Sequence, residues 1–208
     1  MADLNKILLY RITHLQNIAH ILKHGITHIS SPNKNKAFVS IGDSSLINSR
    51  SFFTLPNGSK LGDYIPFYFG VRMPMLYVIQ NGFNGVKAIA AKDIVYCITS
   101  VGAIIKRGVD FIFTNGHAID SFSEFFGDAD VNDIESLVDF KAVNTQYWKS
   151  DTDLDLKRRK ETEFLVMGDV PKEAIIGFAV FAPATAEGIK ALPGFADKKI
   201  VVKPNYYF

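Results

Sequence analysis

The 208-residue chain has little of what would cross-link, anchor or strongly charge a protein. Its single cysteine, Cys97, cannot form an internal disulfide, so a disulfide-rich secreted scaffold is excluded. Lys and Arg total 23 against 21 for Asp and Glu, so bulk charge cannot hold the chain on nucleic acid, although a local basic patch can. The longest apolar run, 174–184, is far shorter than the roughly 20 residues that span a bilayer.

Targeting and common nucleotide-binding motifs are also missing. The first residues lack the apolar segment and cleavage site of a signal peptide, which predicts a cytoplasmic protein without a membrane partner. No GxGxxG follows a strand and no GxxxxGKS/T occurs, which argues against a Rossmann or P-loop site. The chain does contain 48% hydrophobic and 21% charged residues, without repeats, which predicts one globular domain over residues 1–208.

Local patterns predict an α+β fold. Short apolar runs predict strands at 8–12, 64–69, 76–79, 94–99, 111–114, 163–167, 175–181 and 200–202. Helical spacing predicts helices at 15–24, closed by Gly25, at 183–191 and across much of 118–150. The long polar insert at 30–62, punctuated by Pro and Gly, is typical of a binding or lid element. Many short strands with irregular helices indicate α+β rather than regular βαβ units.

The histidines near the start of the chain do not predict a metal site. His20 and His24 are spaced i, i+4 and could share a helix face as zinc ligands do, but the Glu of a metalloprotease motif is missing. We therefore predict no metal. His14 differs because it follows the first strand, at a strand-to-helix junction where side chains are often presented to ligands.

Glu163 is the most informative carboxylate. It opens the strand EFLVM directly after the basic run KRRK at 157–160. A carboxylate held rigidly near cations stays ionised, and it can stabilise a cationic transition state or bind sugar hydroxyls. The alternative interpretation is an edge-strand charge paired with Arg158 or Arg159. Cys97 lies inside an apolar run and is expected to be a buried, inert thiol.

Aromatic and basic residues occur together between 147 and 160. Tyr147, Trp148 and Lys149 precede Arg158 and Arg159 in this segment. Such a mixture suits single-stranded nucleic acid, because cations meet phosphates while rings stack on bases. A solvated surface loop explains the same pattern.

Six motifs, in this order and spacing, resemble the DarT family of DNA ADP-ribosyltransferase toxins from bacterial toxin–antitoxin systems. They are YRITH at 10–14, NSR at 48–50, GDYIPFYF at 62–69, RMPMLY at 72–77, TNGHA at 114–118 and EFLV at 163–166, followed by Val170-Pro171. GDYIPFYF with RMPMLY is the most specific pair. The resemblance extends from about residue 8 to residue 202, with Asn115 where the family often has Asp.

The resemblance implies an ADP-ribosyltransferase fold related to poly-ADP-ribose polymerases, in which two small, mainly antiparallel sheets with helical insertions form an NAD cleft. Family members use NAD as co-substrate and transfer ADP-ribose to a base, commonly thymidine, in single-stranded DNA. A macrodomain antitoxin, an ADP-ribosylglycohydrolase, is the implied partner. The site residues that the resemblance implies are Thr13, His14, Leu15 and Arg50 for NAD, Arg50 and Glu163 for catalysis, and His117 for DNA. The aromatic and basic pattern adds Tyr147, Trp148, Lys149, Arg158 and Arg159 as predicted DNA contacts.

Two other functions stay open at this point. One is an ADP-ribosyltransferase that modifies RNA, protein or a small molecule. The other is a non-catalytic single-strand-binding module built on Tyr147, Trp148 and KRRK, which needs neither His14 nor Glu163. The proton acceptor is also open, since the family proposal of an arginine base conflicts with a guanidinium pKa above about 12.

Overall fold

A computed structural model describes residues 2–196 and 198–208, in which one eight-stranded sheet carries helices on both faces. The sheet order is β5-β4-β6-β2-β1-β3-β7-β8, and only the β7–β8 pair is parallel. The predicted α+β class is confirmed. The strands are β1 (Leu8–His14), β2 (Tyr64–Tyr68), β3 (Ile94–Ser100), β4 (Phe111–Thr114), β5 (Phe125–Phe126), β6 (Glu163–Met167), β7 (Gly177–Val180) and β8 (Lys199–Val202).

The helices are short and lie mainly in the connections between strands. The α-helices are α1 (Ile18–His24), α2 (Ser44–Phe52), α3 (Pro74–Asn81), α4 (Val101–Ile105), α5 (Ile134–Leu137), α6 (Phe140–Val143), α7 (Leu156–Lys160) and α8 (Pro183–Lys190). Single 3₁₀ turns lie at Leu15–Asn17, Leu61–Asp63, Phe83–Gly85, Ala91–Asp93, Lys172–Ala174 and Pro204–Tyr206, with a longer one at Asp128–Asp133. Among the described residues, no helix is long and apolar enough to cross a membrane.

The two separate sheets expected for the NAD cleft are instead one continuous sheet with a weak seam. β1 pairs with β3 along its whole length, but β1 and β2 share the single register pair Tyr10↔Tyr68. Beyond that pair the side chain of Arg11 bridges the strands, because its Nη1 donates to the Pro66 carbonyl oxygen at 2.8 Å. The seam divides the sheet into two four-stranded halves without breaking it.

The core is built on alternation along the strands. In β3, Val95 and Cys97 belong to the large cluster that includes Ile18 of α1. Ile94 and Tyr96 belong to a second cluster, on the other face, with residues of α3. A strand that is apolar on both faces therefore has helices on both sides, as a buried strand requires.

The predicted strand at 76–79 is wrong, because these residues belong to α3. Pro74 occupies the first turn of the helix and Gly82 ends it in the left-handed conformation, with φ 69°. Leu76 and Ile79, spaced i, i+3, are fully buried in the second cluster. A four-residue apolar run fits helix and strand alike, and only the flanking Pro and Gly separate the two.

Two connections differ from the expected pattern. The polar insert at 30–62 contains α2, whose N-cap Asp43 accepts a hydrogen bond from the Ser45 amide at 2.8 Å. No residue of α2 is buried, so the helix lies on the molecule rather than in its core. Residues 118–150, predicted to be mainly helical, form short α and 3₁₀ turns joined by loops, together with the two residues of β5.

Candidate active site

Glu163 lies at the first position of β6, beside the seam of the sheet, and its side chain is fully buried. β6 runs between β4 and β2, where Glu163 is opposite Tyr68. The Glu163 amide donates to Thr114 Oγ1 at 3.0 Å, and the same hydroxyl donates to the Gly116 carbonyl oxygen at 2.5 Å. Thr114 therefore fixes both the start of β6 and the turn that follows β4.

The Glu163 carboxylate is held by one guanidinium and one backbone amide. Arg50 Nη1 donates to Oε1 at 3.1 Å, and the Ala118 amide donates to the same oxygen at 3.0 Å. Arg50 Nη2 lies 2.9 Å from Oε2, but neither of these two buried atoms forms a hydrogen bond. Burial raises the pKa of Glu163, but the charges of Arg50 and His117 together with the hydrogen bonds from Arg50 and Ala118 outweigh burial and lower it overall, so the carboxylate is ionised at neutral pH.

Arg50 is supplied by the last turn of α2, from the insert that the sequence predicted to be a binding element. It reaches a carboxylate 113 residues away in the chain, and little of its side chain is exposed. Burial lowers the pKa of Arg50, but the charge and hydrogen bond of Glu163, together with Tyr68, outweigh burial and raise it above its ordinary value. Arg50 is therefore a permanent cation, and the structure brings it together with Glu163 as the family resemblance implied.

Two further groups border this pair, and sequence reasoning had given neither of them a role. Arg11 spans the seam, and burial lowers its pKa, with the charge of Arg50 acting in the same direction. Burial and the charge of Glu163 raise the pKa of Tyr68 well above the usual tyrosine value, so its hydroxyl stays protonated. Both lie inside the quoted motifs YRITH and GDYIPFYF, which is the signal that could have found them.

The residues predicted to contact NAD lie at the far end of β1. Thr13 is buried, and its Oγ1 accepts a hydrogen bond from Asn17 Nδ2 at 2.9 Å. Asn17 also donates to the Val39 carbonyl oxygen at 2.8 Å, which ties the insert to this end of the strand. His14 caps the following 3₁₀ turn through its Nδ1, and Leu15 packs against the core. A small cavity beside them is lined in part by Arg11, Thr13 and Asn17.

His117 lies at the exposed edge of the Arg50–Glu163 pair. Its Nε2 is 3.9 Å from Glu163 Oε1, and its ring is partly exposed. The backbone of His117 is fixed on both sides, because its amide donates to the Arg158 carbonyl oxygen at 3.0 Å and its carbonyl oxygen accepts from Ser123 Oγ at 2.7 Å. The structure thus brings His117, Arg50 and Glu163 together.

Arg158 and Arg159, predicted to meet DNA, are engaged within the protein. Arg158 Nε donates to Asp155 Oδ1 at 2.7 Å, and its Nη1 donates to Asn115 Oδ1 at 3.2 Å. Gly116 makes room for this arginine, since a Cβ there would lie 2.3 Å from Arg158 Nη1. Arg159 forms ion pairs with three carboxylates, those of Asp139, Asp153 and Asp155. Phosphate binding by these two arginines stays a prediction.

The other residues predicted to bind DNA lie apart from the arginines. Tyr147 and Lys149 are exposed, and Trp148 packs edge-on against Tyr77 and Phe208. Within residues 2–196 and 198–208, no group of three or more His, Cys, Asp or Glu side chains is placed to hold a metal ion.

Comparisons with known proteins agree on one family. A family model described as "ssDNA thymidine ADP-ribosyltransferase, DarT" matches residues 10–208. The DNA ADP-ribosyl transferase of Thermus sp. (strain 2.9) is 30% identical over 210 residues, covering 96% of this chain and 95% of that protein. The DNA ADP-ribosyl transferase of Escherichia coli O127:H6 is 28% identical over 186 residues, covering 87% and 84%.

Solved structures agree with the sequence comparisons. The fold matches Thermus sp. 2.9 DarT in complex with ADP-ribosylated ssDNA at a TM-score of 0.82, with 29% identity over 97% of this chain and 96% of that one. It matches the same protein in complex with NAD⁺ at a TM-score of 0.79, with 28% identity over 100% and 99%. The chain with the buried Arg50–Glu163 pair belongs to the DarT family of NAD-dependent DNA ADP-ribosyltransferases.

Proposed function

We propose that this chain transfers ADP-ribose from NAD to a thymine base of single-stranded DNA, with Glu163 and Arg50 as its catalytic residues. The observation that carries the proposal is the buried ion pair between them, at the seam of the sheet. A buried ion pair is poor evidence of stability, because desolvation offsets much of its attraction. A buried pair at the seam, with His117 at its edge, is better explained by chemistry.

The Arg50–Glu163 pair suits a nucleotide whose ribose hydroxyl can form a hydrogen bond with it. Arg50 Nη2 and Glu163 Oε2 are both buried and face each other at 2.9 Å without the alignment of a hydrogen bond, so a ligand hydroxyl that bonds either atom would complete the site. NAD supplies the ADP-ribosyl group and a nicotinamide leaving group. Thr13, His14 and Leu15 would hold the adenosine-side part of NAD, and Arg50 would meet its pyrophosphate.

Each side chain at the pair then has a defined task. Glu163, ionised and rigidly held, stabilises the positive charge that develops at the anomeric carbon. Arg50 cannot act as the base, because Glu163 raises its pKa further. We therefore assign acceptance of the thymine N3 proton to Glu163 Oε2, which is free of hydrogen bonds. His117, at the open edge of the pair, faces the incoming base.

The test is a transfer assay with labelled NAD and a panel of acceptors, read by mass spectrometry. We expect a gain of one ADP-ribose on thymine-containing single strands and none on the same oligonucleotide without thymine. Transfer to RNA or protein in place of DNA would show that the acceptor is wrong. Binding of DNA without NAD consumption would favour the non-catalytic module.

We also propose that the chain acts as a cytoplasmic bacterial toxin with a macrodomain partner that removes ADP-ribose. This is supported by a Thermosipho africanus relative named as a fusion of a DNA ADP-ribosyl transferase with a DNA ADP-ribosyl glycohydrolase. It is 25% identical over 201 residues, covering 96% of this chain and 49% of the fusion. Expression should arrest growth, and co-expression of such a glycohydrolase should restore it. Continued arrest despite active glycohydrolase would contradict this partner.

A further inference from the structure

Four aromatic side chains form a semi-exposed group outside the reaction centre, here called the ring surface: Tyr77, Phe83, Trp148 and Phe208. Tyr77 contacts the other three, with ring centroids 5.6 Å from Phe83, 5.6 Å from Trp148 and 5.2 Å from Phe208. Tyr77 and Phe208 are each 37% exposed and Phe83 is 47% exposed. Large rings left half in water and packed into one group mark a binding surface more often than a core.

The rings of this surface are held in place. Phe83 lies at the tip of a turn between Gly82 and Asn84, whose φ angles of 69° and 56° are in the left-handed region. Asn84 has a positive φ, in the left-handed conformation that Asn adopts more readily than most non-glycine residues, and this conformation defines the turn. Gln80 exchanges two hydrogen bonds with the backbone of Phe208, at 3.0 and 3.3 Å. The surface is therefore pre-ordered before anything binds.

The segments that build the ring surface carry positive charge only. Residues 64–92, 140–150 and 199–208 contain Lys and Arg but no Asp or Glu, in a chain whose total charges nearly balance. Within the described residues, none of their cations forms an ion pair with a carboxylate. Arg72 lies over the Phe208 ring, with its guanidinium carbon 4.2 Å from the ring centroid. Unpaired cations interleaved with rings are complementary to a chain of alternating phosphates and bases.

Two hydrogen bonds link the elements that carry the ring surface to the elements of the reaction centre. Met75, two residues before Tyr77, accepts a hydrogen bond through its sulfur from Tyr68 Oη at 3.9 Å. Tyr68 is the register partner of Glu163. On the other side, Lys160 Nζ donates to the Thr145 carbonyl oxygen at 2.6 Å and ties the segment leading to Trp148 to the residues just before Glu163. The elements that carry the ring surface are therefore tied to those that position Glu163, through α3 on one side and through the segment before β6 on the other.

We propose that the ring surface binds the nucleotides that flank the modified thymidine, by stacking bases on Phe83, Tyr77 and Trp148 and by attracting phosphates to Lys149. The proposal rests on the proposed function, because it takes single-stranded DNA as the acceptor. The ring surface is then a second DNA contact, remote from the bond-forming atoms. Only oligonucleotides long enough to reach it would bind there.

Binding in the absence of NAD tests this separately from transfer. Trp148 is the only tryptophan of the chain, so its fluorescence reports on the ring surface. Oligonucleotides of about 4 and about 16 nucleotides bracket the lengths that single-strand-binding modules span. We expect the long strand to quench Trp148 and bind more tightly than the short one. We expect Phe83→Ala to weaken binding of the long strand by roughly tenfold and leave the short strand unchanged.

Three controls separate stacking from loss of structure. Tyr77→Phe keeps the ring and should behave like the unchanged chain, whereas Tyr77→Leu should lose affinity for the long strand. Ile176→Ala is the control for an exposed apolar side chain, because Ile176 is 40% exposed. Ile176 bonds to Ile98 of β3, whereas Tyr207, next to Phe208 of the ring surface, bonds to Ile94 at the other end of the strand. This variant should bind both strand lengths as the unchanged chain does. Lys149→Ala should reduce the salt dependence of long-strand binding by about 0.7 in the log–log slope.

Several outcomes would overturn the inference. Equal effects of Phe83→Ala on both strand lengths, or none on the long strand, would exclude flanking contacts. Unchanged DNA binding combined with lost binding to an ADP-ribosyl glycohydrolase would assign the surface to a protein partner instead. Absence of ADP-ribose transfer with length-dependent binding intact would defeat the proposed function and leave this surface as a DNA site.

Discussion

Two arginine–carboxylate clusters lie near His117, and they differ in how many of their polar atoms form hydrogen bonds. Arg50 meets one buried carboxylate, that of Glu163, and each residue keeps one buried atom without a hydrogen bond. Arg159 is partly exposed and uses its whole guanidinium on neighbouring carboxylates. Those carboxylates belong to Asp139, Asp153 and Asp155.

The contrast shows that an arginine beside a carboxylate does not by itself indicate a site. Each nitrogen of the Arg159 guanidinium already donates to a carboxylate, so the Arg159 cluster, here called the clasp, holds the loop before β6 in place. The Arg50–Glu163 pair has been taken out of water and is incompletely bonded, which costs stability unless a substrate completes it. We expect substitutions at the pair to change chemistry and substitutions at the clasp to change stability.

The largest effect should come from Glu163→Gln. Gln has nearly the same shape but no charge, so it cannot stabilise a developing cation or accept a proton, and we expect the transfer rate to fall by at least about 10²–10³-fold. NAD affinity and the cooperative thermal transition should persist. Asp153→Asn, the same chemical change at the clasp, is the matched control and should leave the rate nearly unchanged. Near-normal turnover by Glu163→Gln would remove the catalytic assignment.

The second effect concerns the form of the DNA. The pair is buried behind His117, so a target base must be unpaired to reach it. Extrusion of a paired base costs a few kcal/mol, and we expect single strands to react about ten- to a hundredfold faster than the same sequence in a duplex. Initial rates on both forms, at one salt concentration, measure the ratio. Equal rates would mean that the base does not enter this site.

His117→Ala should have an effect of about tenfold on DNA transfer. The imidazole lies on the open side of the pair, where it can hydrogen-bond or stack on a base, but it does not hold the Glu163 carboxylate by a hydrogen bond. NAD affinity, measured by calorimetry, should be nearly unchanged. His14→Ala, the corresponding change on the predicted NAD side, should instead raise the NAD concentration required. Loss of both NAD affinity and DNA transfer in a folded His117→Ala protein would contradict the assignment of His117 to the DNA side and His14 to the NAD side.

Much of the fold was predictable because burial on both faces leaves long apolar runs such as β3. The helix α3 was not, since its short run has no period and its ends are marked only by Pro74 and Gly82. The meeting of Arg50 with Glu163 was available only through resemblance to a family, because nothing in the composition joins two residues 113 positions apart.

The ion pairs that Arg158 and Arg159 of the basic run form with aspartates could not be predicted from the sequence. In the sequence, Arg158 and Arg159 form a free basic run, and Asp139 lies 20 positions away from Arg159. The fold brings this aspartate to the run and buries Lys160 completely. Charge patterns along a chain therefore overstate the charge that a folded surface offers to DNA.

Arg159→Ala should reduce stability rather than activity. It leaves three carboxylates close together without their cation, and we expect a loss of about 1 kcal/mol in the free energy of unfolding, near the upper end for partly exposed pairs. Urea denaturation measures it, and Lys157→Ala, an exposed neighbour, is the control. Transfer rates at low temperature and their salt dependence should be unchanged. A salt dependence that flattens as strongly as in Lys149→Ala would instead support the predicted contact of Arg159 with DNA.

The smallest effect is the pH dependence of the unfolding free energy that Arg159→Ala removes. Hydrogen bonds from Arg158 lower the pKa of Asp155, and for Asp139 the bonds from Ala142 and Arg159 outweigh the raising effect of burial. A carboxylate with a lowered folded-state pKa stabilises the fold above the unfolded value of about 3.9, and this contribution disappears as pH falls through the folded value. The difference in unfolding free energy between the unchanged chain and Arg159→Ala should therefore be constant from pH 7 to about pH 5. It should shrink by roughly 0.5 kcal/mol at about pH 3, because protonated aspartates no longer need the arginine. Urea denaturation of both proteins across this range measures the change. A difference that grows on acidification would mean that Arg159 stabilises the loop by packing rather than by charge.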